Sequence, residues 1–524
     1  DLSQFALWYH QAGTPNLAIS AAHDAAAKEF TLEIEQSVPP TPSESRKRLM
    51  HIPLAFGLVG ADGSDIEPAA VDGATLENGV IHVRKRKHTV RFTGIAERPA
   101  LSLNRGFSAP ITLSVEQKPE DLLFLARKDG DLVARWQALN TLFTEALIAG
   151  FRAVRQQQKP QFADGLVRAA GEIAADEALE PAYRALALTL PAEADIAREI
   201  GSDIDPDAIF AAREALTGAI AARNGDLFAG LYRDLADAGP FNPDAASAGR
   251  RALRNVLLAC LGAGSAGAEL AARQFRDAGN MTDKVAALTV LGDISYFWQK
   301  NYDEAFGYFR RAVEADPRNA QARQWYASAL MTSGRLHEAE AQIREARNLS
   351  PDARSIIVSQ AMIQMARGDA DGARSVLLQL LENEANYRNP YRFLLFAEVA
   401  RGDMAAYLET MEDWFEMIGH SPGAIVTDAA KAGWHAGGEA SMIEAMASAA
   451  RREGVRDKLE RYFRAHVLAL AGDLEGALDQ LQRTPTRQAF YYSIDPAFDE
   501  ARRDPDFLRR IAELGFPVVP ARQI

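Results

Sequence analysis

The sequence predicts a multidomain chain, β first and all-α afterwards: a small β-sandwich, an irregular α-solenoid and an array of repeated helix pairs. Three observations predict it. Residues 1 to about 115 alternate apolar and polar side chains between turn signals. Residues 116 to about 291 switch to helical spacing with no fixed period. From about residue 286 a strict 34-residue interval sets in and runs almost to the C-terminus.

In the first region "KEFTLEIEQS" (28–37) reads as a half-buried strand, and "HIPLAFGLVG" (51–60) as another, closed by the turn "ADGSD". "VIHVRKR", "HTVRFTGI" and "APITLSVEQ" follow, giving about seven short strands. "PPTP" (39–42) is a loop, because proline cannot donate to a central ladder. The basic run "VRKRKHTVR" (83–91) alternates with apolar residues and reads as the solvated face of strands.

In the second region Pro119 marks a helix start and Gly130 its end. Helical spacing continues through "DLVARWQALNTLFTEALIAGFRAV", "DPDAIFAAREALTGAIAARNG", "DAASAGRRALRNVLLACLGAG" and "GAELAARQFRDAG". Paired helices without a fixed period make an irregular solenoid of the HEAT/ARM kind.

In the third region Gly334, Gly368 and Gly402 lie 34 apart, and Gly438 and Gly472 continue the series with a slip of two. Ala305, Ala339 and Ala373 keep the interval, as do Ala312 with Ala346 and Pro317 with Pro351. This is the tetratricopeptide signature. The expected reason is packing: the two helices of a unit cross closely, so the contact points are Gly or Ala, with Phe309, Ile343 and Leu377 beside them. The prolines stop each second helix. Asp495-Pro496 and Asp504-Pro505 each read as an N-cap followed by proline, a capping segment with a polar outer face.

Composition excludes several functions. The net charge of −13 argues against a nucleic-acid partner, because phosphate neutralisation needs a basic face. No stretch approaches the ~18 apolar residues of a membrane span. The single cysteine, Cys260, permits no intrachain disulfide and sits in an apolar run as a core filler. No phosphate-binding glycine motif occurs. Acid pairs such as Glu338 with Glu340, and Glu382 with Glu384, read as solvated carboxylates. The chain begins at Asp1 with neither an initiator Met nor a signal peptide, which suggests a piece of something longer from a cytoplasmic protein.

Particular strings carry a resemblance. "DLSQFALWYHQAGTP" (1–15), "VPPTP", "HIPLAFGL", "RGFSAP", "DLLFLARKD", "GRRALRN" and "NMTD" (280–283) resemble, in the same order, the region after the catalytic domain in bacterial aminopeptidase N. The resemblance covers residues 1 to about 291. It implies an Ig-like sandwich over 1–115 and the first part of a helical C-terminal domain over 116–291. That family is a zinc peptidase whose metal is held by HExxH and a downstream Glu. None of the nine His here has another His four residues on. "HEAEA" (337–341) has Ala341 in the second place and is expected in a repeat turn. No catalytic residue, metal or cofactor is therefore expected. Residues 286–524 resemble tetratricopeptide regions of bacterial signalling and regulatory proteins, and "IDPAFDEARRDPDF" (494–507) is typical of their capping string.

The two resemblances overlap. Both assignments hold if one helix, about 282–299, serves both parts, with Val285, Leu288 and Leu291 facing the peptidase-like helices and Tyr296 and Trp298 the repeats. The expectation is a non-catalytic scaffold, an engineered rigid fusion through a shared helix. Its alternatives are a natural peptide-binding repeat module, or part of a zinc aminopeptidase that needs a separate catalytic domain. In repeats of this kind the first helix of each unit lines the concave face. A peptide or protein ligand would there meet Gln324, Ser328 and Met331, then Val358, Met362 and Met365, then Arg392, Phe396 and Val399. Methionine and phenylalanine offer adaptable contact, and Arg392 a partner for a carboxylate.

Overall fold

A computed structural model of the chain describes all residues except 1, 43, 202–203, 237–240, 264–266, 294, 296–301, 384–386, 388, 457, 485–489 and 520–524. It divides into two compact units, residues 1–149 with 161–191, and residues 150–160 with 192–524.

After a single helical turn, α1 (Leu7–His10), nine strands form the sandwich: β1 (Asn16–Asp24), β2 (Glu29–Ser37), β3 (Ile52–Val59), β4 (Ala70–Asp72), β5 (Leu76–Glu77), β6 (Val80–Val83), β7 (Lys87–Thr93), β8 (Ala100–Leu103) and β9 (Thr112–Val115). One sheet has the order β4-β7-β2-β1-β9 and the other β5-β6-β3-β8. All pairs are antiparallel except β1 with β9. Alternation does the sorting: Phe30, Leu32, Ile34 and Gln36 of β2 point inward. Gln36 is tolerated in the core because Met50 takes both ends of its amide, Nε2 donating to the Met50 carbonyl (2.9 Å) and Oε1 accepting from its N–H (2.6 Å). In the basic run Lys87, Thr89 and Arg91 face solvent while His88, Val90 and Phe92 are buried, as expected of a strand.

About seven strands are expected, and the described residues form nine. β1, "NLAISAAHD", has three alanines and a single β-branched residue, Ile19, while β4 and β5 are only three and two residues long. Their pairing comes from neighbours and not from their own propensity.

The same unit holds α2 (Pro119–Lys128), most of α3 (Leu132–Arg155), α4 (Asp164–Ala175) and α5 (Pro181–Leu188). The second unit contains α6 (Glu193–Ile200), α7 (Pro206–Asp234), α8 (Ala245–Gly262), α9 (Gly267–Asp277) and α10 (Met281–Asp293). Asp205 caps α7 by accepting from the N–H groups of Asp207 and Ala208, and Asp244 caps α8 through Ser247. α7 runs on beyond Asn224-Gly225 to Asp234, and Phe228 and Tyr232, both buried, anchor its last turns.

The repeat follows as α11 (Tyr302–Ala315), α12 (Ala320–Thr332), α13 (Leu336–Leu349), α14 (Arg354–Ala366), α15 (Ala370–Asn383), α16 (Asn389–Arg401), α17 (Met404–Met417), α18 (Ser421–Arg451), α19 (Arg461–Leu470) and α20 (Leu474–Arg483). The fully buried Ala305, Ala339 and Ala373 are the close-packed points, with Phe309, Ile343 and Leu377 beside them. The glycines have a different reason from the one expected. Gly334, Gly368, Gly402, Gly438 and Gly472 take φ of 74°, 83°, 66°, 71° and 74°, and a Cβ on any of them would meet nothing. Gly334, Gly368, Gly402 and Gly472 follow helix ends with positive φ, Gly438 sits at a kink inside α18, and none is a contact point. At Gly368, Gly402 and Gly472 the next residue is an aspartate that caps the following helix, so one Gly-Asp pair both stops and restarts the chain. The slip of two falls at Gly437-Gly438, where α18 kinks in place of a loop.

The capping segment is more deeply buried than expected. A 3-10 turn at Phe490–Ser493 and another at Pro496–Phe498 precede α21 (Pro505–Glu513). Asp504 caps α21 as its sequence suggests, but Asp495 is wholly buried.

Candidate binding surfaces of the helical unit

The nine residues expected to line a groove stand on α12, α14 and α16, which neighbour one another in that order. Gln324 ties the first two together: its Nε2 donates to Ser359 Oγ (3.0 Å) and its Oε1 accepts from Ser355 Oγ (3.3 Å). Gln324, Ser328, Met362 and Val399 are half-buried, whereas Met331, Val358, Met365, Arg392 and Phe396 are buried. The four half-buried side chains keep surface that a ligand can touch; the five buried ones pack on neighbouring helices.

Arg392 carries the clearest correction. It was expected to await a ligand carboxylate, and the chain supplies carboxylates itself. Its Nη1 donates to Asp207 (3.2 Å) at the start of α7, and its Nη2 to Glu460 ahead of α19. Its guanidinium lies 5.3 Å over the ring of Tyr491, whose hydroxyl donates to the same Asp207 oxygen (3.3 Å). Burial presses the guanidinium pKa down, but Glu460, Tyr491, Asp207 and Asp205 together leave it raised. Phe396 stacks on His466 and packs against Tyr462.

A second polar group looks chemical but is enclosed. His466 Nδ1 donates to Asp495 Oδ2 (2.8 Å), which leaves Nε2 to accept from the Tyr407 hydroxyl (3.2 Å). Tyr462 donates to the same carboxylate oxygen (3.1 Å). Burial pushes both tyrosines well above their ordinary range, so they stay protonated donors. With all four residues buried, the cluster can organise the core but cannot meet a substrate.

Sequence reasoning missed a hollow of about 560 Å³ lined by α7, α8, α9 and the start of α10. Its signal lay in the strings "GRRALRN" and "NMTD", which both end there. Asn255 donates to Asp283 (2.9 Å), Gln274 to Asn255 (2.7 Å) and Asn280 to Asp283 (2.9 Å). Tyr232 donates to Gln274 (2.8 Å), and Arg254 donates to the Tyr232 hydroxyl (3.1 Å) while lying 4.4 Å over its ring. These groups spend their hydrogen bonds on one another, so the strings first of all hold α7 to α10 together. Arg233, Arg273 and Asp277 are exposed at the rim.

Among the described residues no group of three or more His, Cys, Asp or Glu is placed to hold a metal ion. "HEAEA" opens α13 and does not lie in a turn; Glu338 there is held by Arg335 (2.7 Å). No described helix is long and apolar enough to cross a membrane.

The expected common helix is described only in part. α10 packs on α8 and α9 and also on α11. Leu288 and Leu291 are buried and Val285 half-buried. Val290 meets Gly262 of α8, and Gly292 is pressed against Phe309 of α11. Tyr296 and Trp298 lie outside the described residues.

Comparison with known proteins places the first two regions. Residues 13–116 match a family model described as a domain of unknown function (DUF3458) with an Ig-like fold, and residues 119–333 match its companion, described as ARM repeats. Aminopeptidase N from Caulobacter vibrioides is 40% identical over 294 residues, 55% of this chain and 32% of that protein. Aminopeptidase N from Escherichia coli is 32% identical over 291 residues, 55% of this chain and 33% of that protein. The chain thus spans about a third of the length of the curated relatives it matches. It carries the non-catalytic Ig-like and ARM-repeat domains of the aminopeptidase N C-terminal region. The crystal structure of Legionella pneumophila aminopeptidase A in complex with aspartic acid superposes with a TM-score of 0.54 over 79% of this chain and 48% of that one. At 20% identity that likeness concerns the fold alone.

Proposed function

We propose that the chain is a non-catalytic binding scaffold, an Ig-like sandwich and helical solenoid of the aminopeptidase N type that continues into tetratricopeptide pairs and holds a peptide or protein along α12, α14 and α16. The observation that carries the reading is the row of half-buried Gln324, Ser328 and Met362 on adjacent first helices, with left-handed glycines recurring at the repeat interval. Such a row offers polar and adaptable apolar contacts over successive pairs. α10 joins the two kinds of pair by packing on both, which supports a stiff junction. The match to the ARM-repeat model runs to residue 333, beyond the junction. That favours one natural solenoid over an engineered splice.

The test has two arms. Purified protein is assayed on alanine and leucine chromogenic amides with added zinc, and titrated with a fluorescent peptide library. The reading expects no hydrolysis and saturable peptide binding weakened by Gln324→Ala with Met362→Ala. Hydrolysis that survives repurification would sink it, and so would binding indifferent to the double variant.

A further inference from the structure

Arg392 joins segments far apart in sequence. Besides Asp207, 185 residues away, and Glu460, 68 residues away, its Nη1 reaches Asn389 Oδ1 (3.4 Å). A parallel bridge between Ile204 and Tyr387 lies beside this junction. Tyr491 adds its ring against Phe393, edge-on at 5.1 Å. The start of α7, the start of α16, the residue before α19 and the capping segment therefore meet on one guanidinium. Two of the residues expected to face a ligand are covered: Arg392 by this junction, and Phe396 by Tyr462 and His466 of α19, the helix that follows Glu460.

We propose that this junction is an autoinhibitory latch: while Asp207 and Glu460 hold Arg392, the chain itself closes the α16 end of the binding row, and a peptide reaches Arg392 and Phe396 only on release. The proposal rests on the peptide-binding reading above and adds its regulation. The physical basis is the asymmetry of buried ion pairs. A complete set is near neutral against an apolar substitute, but removing one member strands the others without compensation. A junction of that kind is either shut or open, with little between.

The experiment uses the full chain. Arg392→Met keeps length and removes charge, leaving two carboxylates facing each other. Hydrogen exchange at residues 204–210, 387–396 and 490–495 is expected to accelerate roughly 150- to 5,000-fold, the size of a broken buried pair, with far-UV circular dichroism unchanged. The triple variant Arg392→Met, Asp207→Asn, Glu460→Gln strands no charge and is expected to restore protection. Tyr491→Phe, which removes one hydroxyl from Asp207, should accelerate the same amides by several-fold. Library peptides should bind the double variant Asp207→Asn, Glu460→Gln, which releases Arg392 and keeps it for the ligand, at least 10-fold more tightly than the parent. Unchanged exchange in Arg392→Met and Tyr491→Phe, or acceleration spread over the whole helical unit, overturns the latch. Local opening without any gain in peptide affinity overturns the peptide-binding reading.

Discussion

His466 and Asp495 lie 29 residues apart in sequence and 2.8 Å apart in space, and both are buried. Asp495 was legible only as an N-cap, and it does accept from the N–H of Ala497 (2.9 Å). Its other oxygen accepts hydrogen bonds from His466 and Tyr462, so one carboxylate holds the capping segment on α19. Asp495→Ala leaves these donors buried without an acceptor and should cost about 3 kcal/mol or more. Asp504→Ala removes a partly exposed cap and should cost about 1 kcal/mol. Urea midpoints of the two variants give the comparison; equal losses would mean that Asp495 is only a cap.

Gly402 and Gly292 should fail differently when replaced by alanine. Gly402 has φ of 66° and open space around it, so Gly402→Ala costs the left-handed strain of about 1–2 kcal/mol whatever its neighbours. Gly292 lies within a helix, and a Cβ there would come within 2.5 Å of the Phe309 ring, an overpacking cost of about 1–3 kcal/mol. Phe309→Leu should therefore rescue Gly292→Ala and not Gly402→Ala. Denaturation of the three single and two double variants checks this, and a rescue common to both sites would refute it.

Phe107 stands 62% exposed with φ of 54°, a conformation costly for an aromatic residue. The turn beneath it is pinned. Asn104 bonds Ala109 through both ends of its amide, Arg105 is held by Asp65 and Asp129, and the N–H of Gly106 donates to Asp131 (3.1 Å). Phe107→Gly should thus stabilise the protein by about 1 kcal/mol. A lower melting temperature in calorimetry would show that the ring has packing worth more than its strain.

Cys260 is half-buried, less enclosed than a core filler, and the desolvation around it pushes its thiol up to about 11. At pH 8 it should react with a disulfide reagent roughly 100-fold more slowly than in the unfolded chain, because the thiolate is the nucleophile. The raised pKa sets the sign of the stability effect. Below ~8.5 both states are protonated and nothing is lost; between there and about 11 only the unfolded thiol ionises, so stability falls as pH rises. Cys260→Ala should flatten that part of the pH profile. A profile identical in parent and variant would contradict the assignment.

Much of this protein is determined within short windows of its sequence. Alternation in β2 and β7, the proline and aspartate helix starts, and the glycines 34 residues apart all act through the backbone of a few neighbouring residues. Each is readable because its cause is local. Where the cause was not local the reading went astray. Spacing does not reveal φ, so the glycines read as contacts, and β1 carries no signature of its own because its strand state is imposed by β2 and β9. The candidate row shows the same division. Its helices and register follow from the period, but which of its residues stay open depends on how successive pairs turn. That turn brings Asp207 and Glu460 onto Arg392 across 185 and 68 residues of chain. Small rotations between packed pairs add along a solenoid and leave no local pattern, so the tertiary structure alone decided that Arg392 is paired with its own chain.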